Sequence, residues 1–143
     1  MITHKITYRV IYGDTDKMGV AYYSNYLRWF EMGRTEFFRY LGLTYKKIEE
    51  RGIFLPVSEV YCKYLYSAHY DDVLIIETSL DTSVKASMNF NYLILSEQGN
   101  TILAKGKTRH AFTDRSGRVV RPPELLMELI AKNNKTTYDN KIQ

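Results

Sequence analysis

The chain has 143 residues, the length of one ordinary domain, and its 45% apolar content and three prolines exclude a disordered or collagen-like protein. A single cysteine, Cys62, excludes an intrachain disulfide and a cysteine metal cluster, and the scattered His4, His69 and His110 lack the spacing of a zinc site. The net charge of +4 is concentrated in residues 105–121, where Lys105, Lys107, Arg109, Arg115, Arg118 and Arg121 stand against Asp114 alone, so an anionic partner is expected there.

The N-terminus passes straight into alternation, with Ile6, Tyr8, Val10 and Tyr12 set against Lys5, Thr7 and Arg9, which predicts a half-buried strand over residues 5–12. It carries no secretion signal, and no apolar run approaches the ~20 residues that cross a bilayer, so a cytoplasmic protein is expected. Next comes an acidic loop with Gly19, after which Ser24 or Asn25 can cap a helix through a short side chain. Tyr26, Phe30, Gly33, Phe37 and Leu41 follow at helical spacing, and Gly42 ends the segment. Gly33 costs such a helix about 1 kcal/mol against alanine, which is explained if the helix axis lies close against another element.

A shorter helix is predicted near residues 45–50, then strands near 57–65, 72–80, 86–96 and 101–113, with turns at 97–100 and 114–117. This order gives an α+β domain over residues 1–131, an antiparallel sheet of about five strands with one long central helix. Pro122 and Pro123 open a short helix over 122–131, and residues 132–143 read as a polar, frayed C-terminal tail. The 13 tyrosines suit sheets, subunit interfaces and half-wet clefts.

Asp14 and Asp16 stand two apart just before the helix, where a turn needs one acid. The start of a helix offers free amides and a positive dipole end, which suit a developing oxyanion. Gly19 clears the approach, and Asp14 or Asp16 lies within a few residues as base or nucleophile. An Asp-x-Asp at this place also serves as a plain turn former or a favourable charge at a helix N-terminus.

The stretch DTDKMGVAYYSNYLRWFEMGRTEFFRYLGL at residues 14–43 resembles the signature of the hotdog-fold acyl-CoA thioesterases, in the 4-hydroxybenzoyl-CoA thioesterase and Tol-Pal-associated branch. YDDVLIIET at 70–78 and RHAFTDRSGRVVRPP at 109–123 are similar to the family as well, so the likeness covers nearly all of residues 5–131. The resemblance implies a helix wrapped by a curved sheet, a homodimer or homotetramer with clefts between subunits, and thioester hydrolysis without a cofactor. It implies that Asp16 is the catalytic carboxylate and that the backbone amide of Tyr23 is the oxyanion donor, leaving Asp14 to hold the loop. The Tol-Pal-associated branch carries a histidine seven residues past the catalytic aspartate, whereas this chain has Tyr23 there, as the aromatic-substrate branch has an aromatic residue. Another hotdog branch places its carboxylate on the central helix, which makes Glu31 and Glu36 rivals.

Gly19, Val20, Tyr22, Tyr26 and Trp29, with Phe30 and Phe37, are candidates for the acyl pocket, although the same side chains would fill an ordinary core. For the phosphates of coenzyme A the candidates are Lys85, at the turn between the third and fourth strands, and Lys105, Lys107 and Arg109, which share one face of the last strand. The opposite face, Ala104, Gly106, Thr108, His110 and Phe112, is expected to pack on the helix. Thioesters of coenzyme A and of acyl carrier protein both fit as substrates. No G-x-S-x-G occurs, which excludes a nucleophile-elbow serine hydrolase. The competing readings are an acyl-binding or scaffold hotdog protein without catalysis, and a nucleic-acid-binding module. The latter fits poorly, because KGKTRHAF at residues 105–112 lacks an aromatic after its glycine.

Overall fold

The structure is a computed structural model and describes residues 1–142. Strand β1 (Ile2–Arg9) leads through a 3₁₀ turn at Tyr12–Asp14 into helix α1 (Asn25–Leu41) and the short helix α2 (Tyr45–Glu50). Strands β2 (Val57–Tyr64), β3 (Val73–Leu80), β4 (Ser87–Ser96) and β5 (Ile102–Ala111) follow, and helix α3 (Glu124–Ile142) closes the chain. The five strands form one antiparallel sheet in the order β1-β3-β4-β5-β2, so β1 and β2 are its edges.

Three elements differ from the sequence expectation. The first strand is displaced towards the N-terminus and stops at Arg9, because Val10 pairs with Asp71 and Asp72 through backbone bonds and the chain then turns. Tyr12 is thereby lifted off the sheet and left 79% exposed. At the other end α3 passes through residue 131 to Ile142; no glycine or proline interrupts residues 124–142, so nothing in the sequence stops the helix. Residue 143 of the expected tail lies outside the described residues. The central helix has 17 residues, a helix of moderate length and not a long rod, and it ends where Gly42 takes φ +96° and returns its amide to the Phe38 and Arg39 carbonyls.

The buried face of α1 carries Tyr26, Trp29, Phe30, Gly33, Phe37, Phe38 and Leu41, and it lies on the sheet face made by Ile76, Phe90, Tyr92, Ala104 and their neighbours. Two glycines set the approach. A Cβ on Gly33 would stand 3.0 Å from Ile76 Cγ2 and overlap Thr78 Oγ1, while a Cβ on Gly106 would run into the Phe30 ring. Phe30 instead lies over Gly106 and stacks on Tyr92, ring centroids 4.4 Å apart.

Beneath the middle of α1 runs a chain of buried polar groups. His110 Nδ1 is 3.0 Å from the Leu55 carbonyl, which can only accept, so Nδ1 carries the proton and Nε2 accepts from Thr108 Oγ1 at 2.8 Å. Thr108 in turn accepts from the Tyr92 hydroxyl at 2.6 Å, and Tyr92 accepts from Arg34 at 3.2 Å. Every bond in the chain points the same way and every buried group in it has a partner. Burial, and secondarily the Arg34 charge, push the His110 pKa down to about 4 against the bond to Leu55, which favours the cation.

Gly33→Ala is expected to lower the denaturant midpoint in equilibrium unfolding despite the ~1 kcal/mol of helix propensity it gains, because overpacking of this kind costs about 1–3 kcal/mol. An unchanged or raised midpoint would mean that the helix does not sit this close. For His110 the folded pKa lies below the ordinary 6.5, so the unfolded chain takes up the proton first. Its contribution to stability is complete above pH 6.5 and is lost as pH falls towards 4, an effect on the order of 3 kcal/mol. Urea unfolding across that window should show the loss in the native chain and a flatter profile in His110→Gln.

Candidate active site

The start of α1 is built against the loop before it. Asp14 is 3% exposed, and its Oδ2 accepts from the Tyr8 hydroxyl at 2.7 Å and from the Ile11 amide at 3.0 Å. Its carbonyl accepts from the Tyr22 amide and from Asn25 Nδ2, both at 2.8 Å. Asn25 therefore ties the helix to the loop and does not cap it. Ser24 stands at the N-cap position, but its helical backbone leaves the hydroxyl without a capping bond. Among the described residues, the amides of Tyr23 and Ser24 have no acceptor. The two residues leading into the helix thus present bare N–H groups near its positive dipole end, while the amides of Asn25, Tyr26 and Leu27 donate to the Tyr22, Tyr23 and Ser24 carbonyls.

Asp16 follows a different course. Its backbone closes a turn, with its amide donating to Val20 O at 2.9 Å and its carbonyl accepting from Gly19, where φ is +80°. The side chain is exposed; Oδ1 accepts from the Met18 amide at 2.8 Å, and Oδ2 has no partner among the described residues. The loop is fastened from the far side by Ala21 N to Ala68 O at 2.8 Å and by a bridge between Val20 and His69.

These pieces enclose a groove of about 560 Å³ that brings together Asp16, Val20, Tyr22, Tyr23 and Tyr26 from the predicted set. Its other wall is the end of β2 and the residues after it, Tyr64 to Ser67, which the sequence pattern did not single out. The signal was present in the Tyr64-Leu65-Tyr66 run, which an edge strand leaves exposed. Tyr64 donates to the Tyr23 carbonyl at 2.8 Å and packs edge-on against Tyr26, whose hydroxyl accepts from the Ala68 amide. Desolvation, with Cys62 next, pushes the Tyr64 hydroxyl far up. Its bond with Tyr23, then the charge of that group, raises the Tyr22 hydroxyl, with Asp16 the smallest contribution. Both phenols stay protonated at neutral pH.

Other candidates lie elsewhere. Trp29 is 1% exposed and wedged between Tyr8 and Tyr26, so it supports the groove without lining it, and Phe30 and Phe37 are fully buried in the core. Lys105, Lys107 and Arg109 alternate outward from β5, away from the helix; Arg109 reaches Glu59 at 3.9 Å and Lys105 opposes Lys63 in register. Lys85 lines a separate cavity beside α3. Glu36 pairs with Arg39, and Glu31 borders a small void with Arg34 and His110. Among the described residues, the Asp16 groove is lined by none of these cations and by neither helix carboxylate.

Comparison with known proteins bears on this arrangement. A family model described as the thioesterase-like superfamily matches residues 10–130. A putative esterase of Aquifex aeolicus is 31% identical over 85% of this chain and 93% of its own length, and a putative acyl-CoA thioesterase of Bacillus subtilis is 30% identical over 74% and 76%. A DHNA-CoA thioesterase from Staphylococcus aureus superposes with a TM-score of 0.88 at 26% identity, covering 98% of this chain and 96% of that one. The family match runs through the groove loop, α1 and strands β2 to β5, and by it the chain belongs to the thioesterase-like superfamily.

Proposed function

We propose that the protein is an acyl-CoA thioesterase that cleaves its substrate to a free acid and coenzyme A. The observation that carries this reading is the meeting, in one groove, of a carboxylate with a free oxygen and Tyr23, whose bare amide stands just ahead of a helix. A thioester carbonyl lying against the Tyr23 amide meets donors already oriented for the negative charge of the tetrahedral intermediate. Asp16 Oδ1 is held by Met18, so Oδ2 is free to orient a water molecule and take its proton as the water attacks the carbonyl carbon. The C–S bond then breaks, and coenzyme A leaves as a thiolate that needs no strong acid. This fits a groove whose tyrosines supply shape and an apolar lining.

The groove is bordered by the end of β2. That strand is a sheet edge, and Val57, Val60, Tyr61 and Tyr64 along it, with Leu65 and Tyr66 beyond, are all exposed. Unpaired edge groups flanked by large apolar side chains favour pairing with a second strand. A homodimer joined there closes the acyl pocket and brings other surfaces, the Lys105, Lys107 and Arg109 stripe among them, within reach of the coenzyme phosphates. Dimers of this kind can pair again into a tetramer.

Asp16→Asn is expected to reduce kcat/KM for acyl-CoA hydrolysis about 10²–10⁴-fold, read as thiol release with a thiol-reactive dye, while circular dichroism and oligomeric state are retained. Glu31→Gln should leave the rate unchanged. The opposite pair of results would move catalysis to the helix carboxylate. Single turnover in H₂¹⁸O should place the label in the released acid and none in Asp16; label in the Asp16 carboxylate would mean direct attack through an anhydride.

A further inference from the structure

A second cavity, away from the Asp16 groove, is larger than it. Where the β3–β4 turn meets α3 lies a space of about 920 Å³, against about 560 Å³ for the groove. Leu80 and Met88 on the sheet, with Met127 and Ile130 on α3, give it an apolar floor. Its rim carries Lys85, Arg121 and Lys135 against Asp81 alone. Among the described residues none of these cations has an ion-pair partner, whereas Asp81 Oδ1 is already engaged by the Ser83 amide and hydroxyl.

A cavity of this size falls in the range of small-molecule sites, and an apolar floor below a basic rim has two chemical demands. Methionines adapt to a flexible chain better than a rigid ring-shaped slot would, and long cationic side chains keep their heads at the water boundary over apolar stems. We propose that this cavity binds a fatty-acid anion, its hydrocarbon chain on the Leu80, Met88, Met127 and Ile130 floor and its carboxylate at Arg121 and its neighbouring cations. The site is separate from the groove and does not rest on the catalytic role of Asp16. An acid of this class is also what hydrolysis of an aliphatic thioester releases, which gives that product a second place to bind.

Calorimetric titration of the full chain with octanoate, decanoate and dodecanoate, each below its micelle concentration, tests the proposal. One saturable site is expected, tightening roughly threefold to fourfold with each added methylene. Ala131→Trp, on the exposed rim of α3, should fill the cavity and abolish binding with an unchanged circular dichroism spectrum. The pair Arg121→Gln and Lys135→Gln should weaken dodecanoate about tenfold or more and leave dodecanol unaffected. Asp16→Asn should bind dodecanoate as the native chain does, whether or not the native chain hydrolyses acyl-CoA. The proposal is overturned by absent saturation, by binding that survives Ala131→Trp, or by binding lost in Asp16→Asn, which would place the acid in the groove. Displacement of dodecanoate by coenzyme A would make the cavity part of the substrate site, and retention only on anionic vesicles would replace the free acid by a membrane surface; either result overturns it.

Discussion

The close approach of α1 to the sheet is the constraint from which the rest of the structure follows. Gly33 lets the helix backbone settle onto Ile76 and Thr78, and Gly106 opens a space in β5 that the Phe30 ring occupies. Side chains at either position would lift the helix, and interiors packed at crystal-like density do not absorb such a shift. Because α1 is rigid, fixing its middle also fixes its start. Asn25 then connects that start to the Asp14 carbonyl, so the loop carrying Asp16 is placed by the same packing that forms the core.

The two acids of the loop divide the work by burial. Asp14 is enclosed, and Tyr8 and Ile11 satisfy its carboxylate while Tyr22 and Asn25 satisfy its carbonyl. A buried carboxylate with such partners is a structural fastener, since losing them would leave an unpaired charge in the interior. Asp16, two residues on, is exposed and keeps one oxygen free. The helix start is likewise left without a side-chain cap, a local cost to stability at the place where a substrate oxygen would supply the missing acceptor. Stability is gathered instead beneath the middle of α1, in the aromatic stack and the directed chain from Arg34 to the Leu55 carbonyl.

The polar and apolar surfaces have separate uses. The outward face of β5 is basic because its inward face is committed to small and apolar residues under the helix, Gly106 and Thr108 among them. On β2 the exposure has another origin: it is an edge strand, with a neighbouring strand on one side only. The tyrosines gathered there suit that position, since each covers apolar area while keeping a hydroxyl for water or for a carbonyl such as that of Tyr23.

The sequence by itself determined the order of elements, the helix from Asn25 to Gly42, the two-faced pattern of the last strand and the need for a close contact at Gly33. These follow from periodicity and from the conformational limits of glycine, which act over a few neighbouring residues. Local pattern also marked the acidic loop, and the long resemblance singled out Asp16 within it. Tertiary structure alone decided that Trp29 belongs to the core and not to the groove, that Asn25 bonds the loop in place of capping the helix, and that Tyr64 and Tyr66 form the far wall. It also decided that β1 ends at Arg9, where pairing with residues 71 and 72 turns the chain, and that the cations of β5 and Lys85 lie apart from Asp16. The reason is common to all of these: each depends on contact between segments distant in the chain, and a local pattern records which way a side chain faces but not what it meets there.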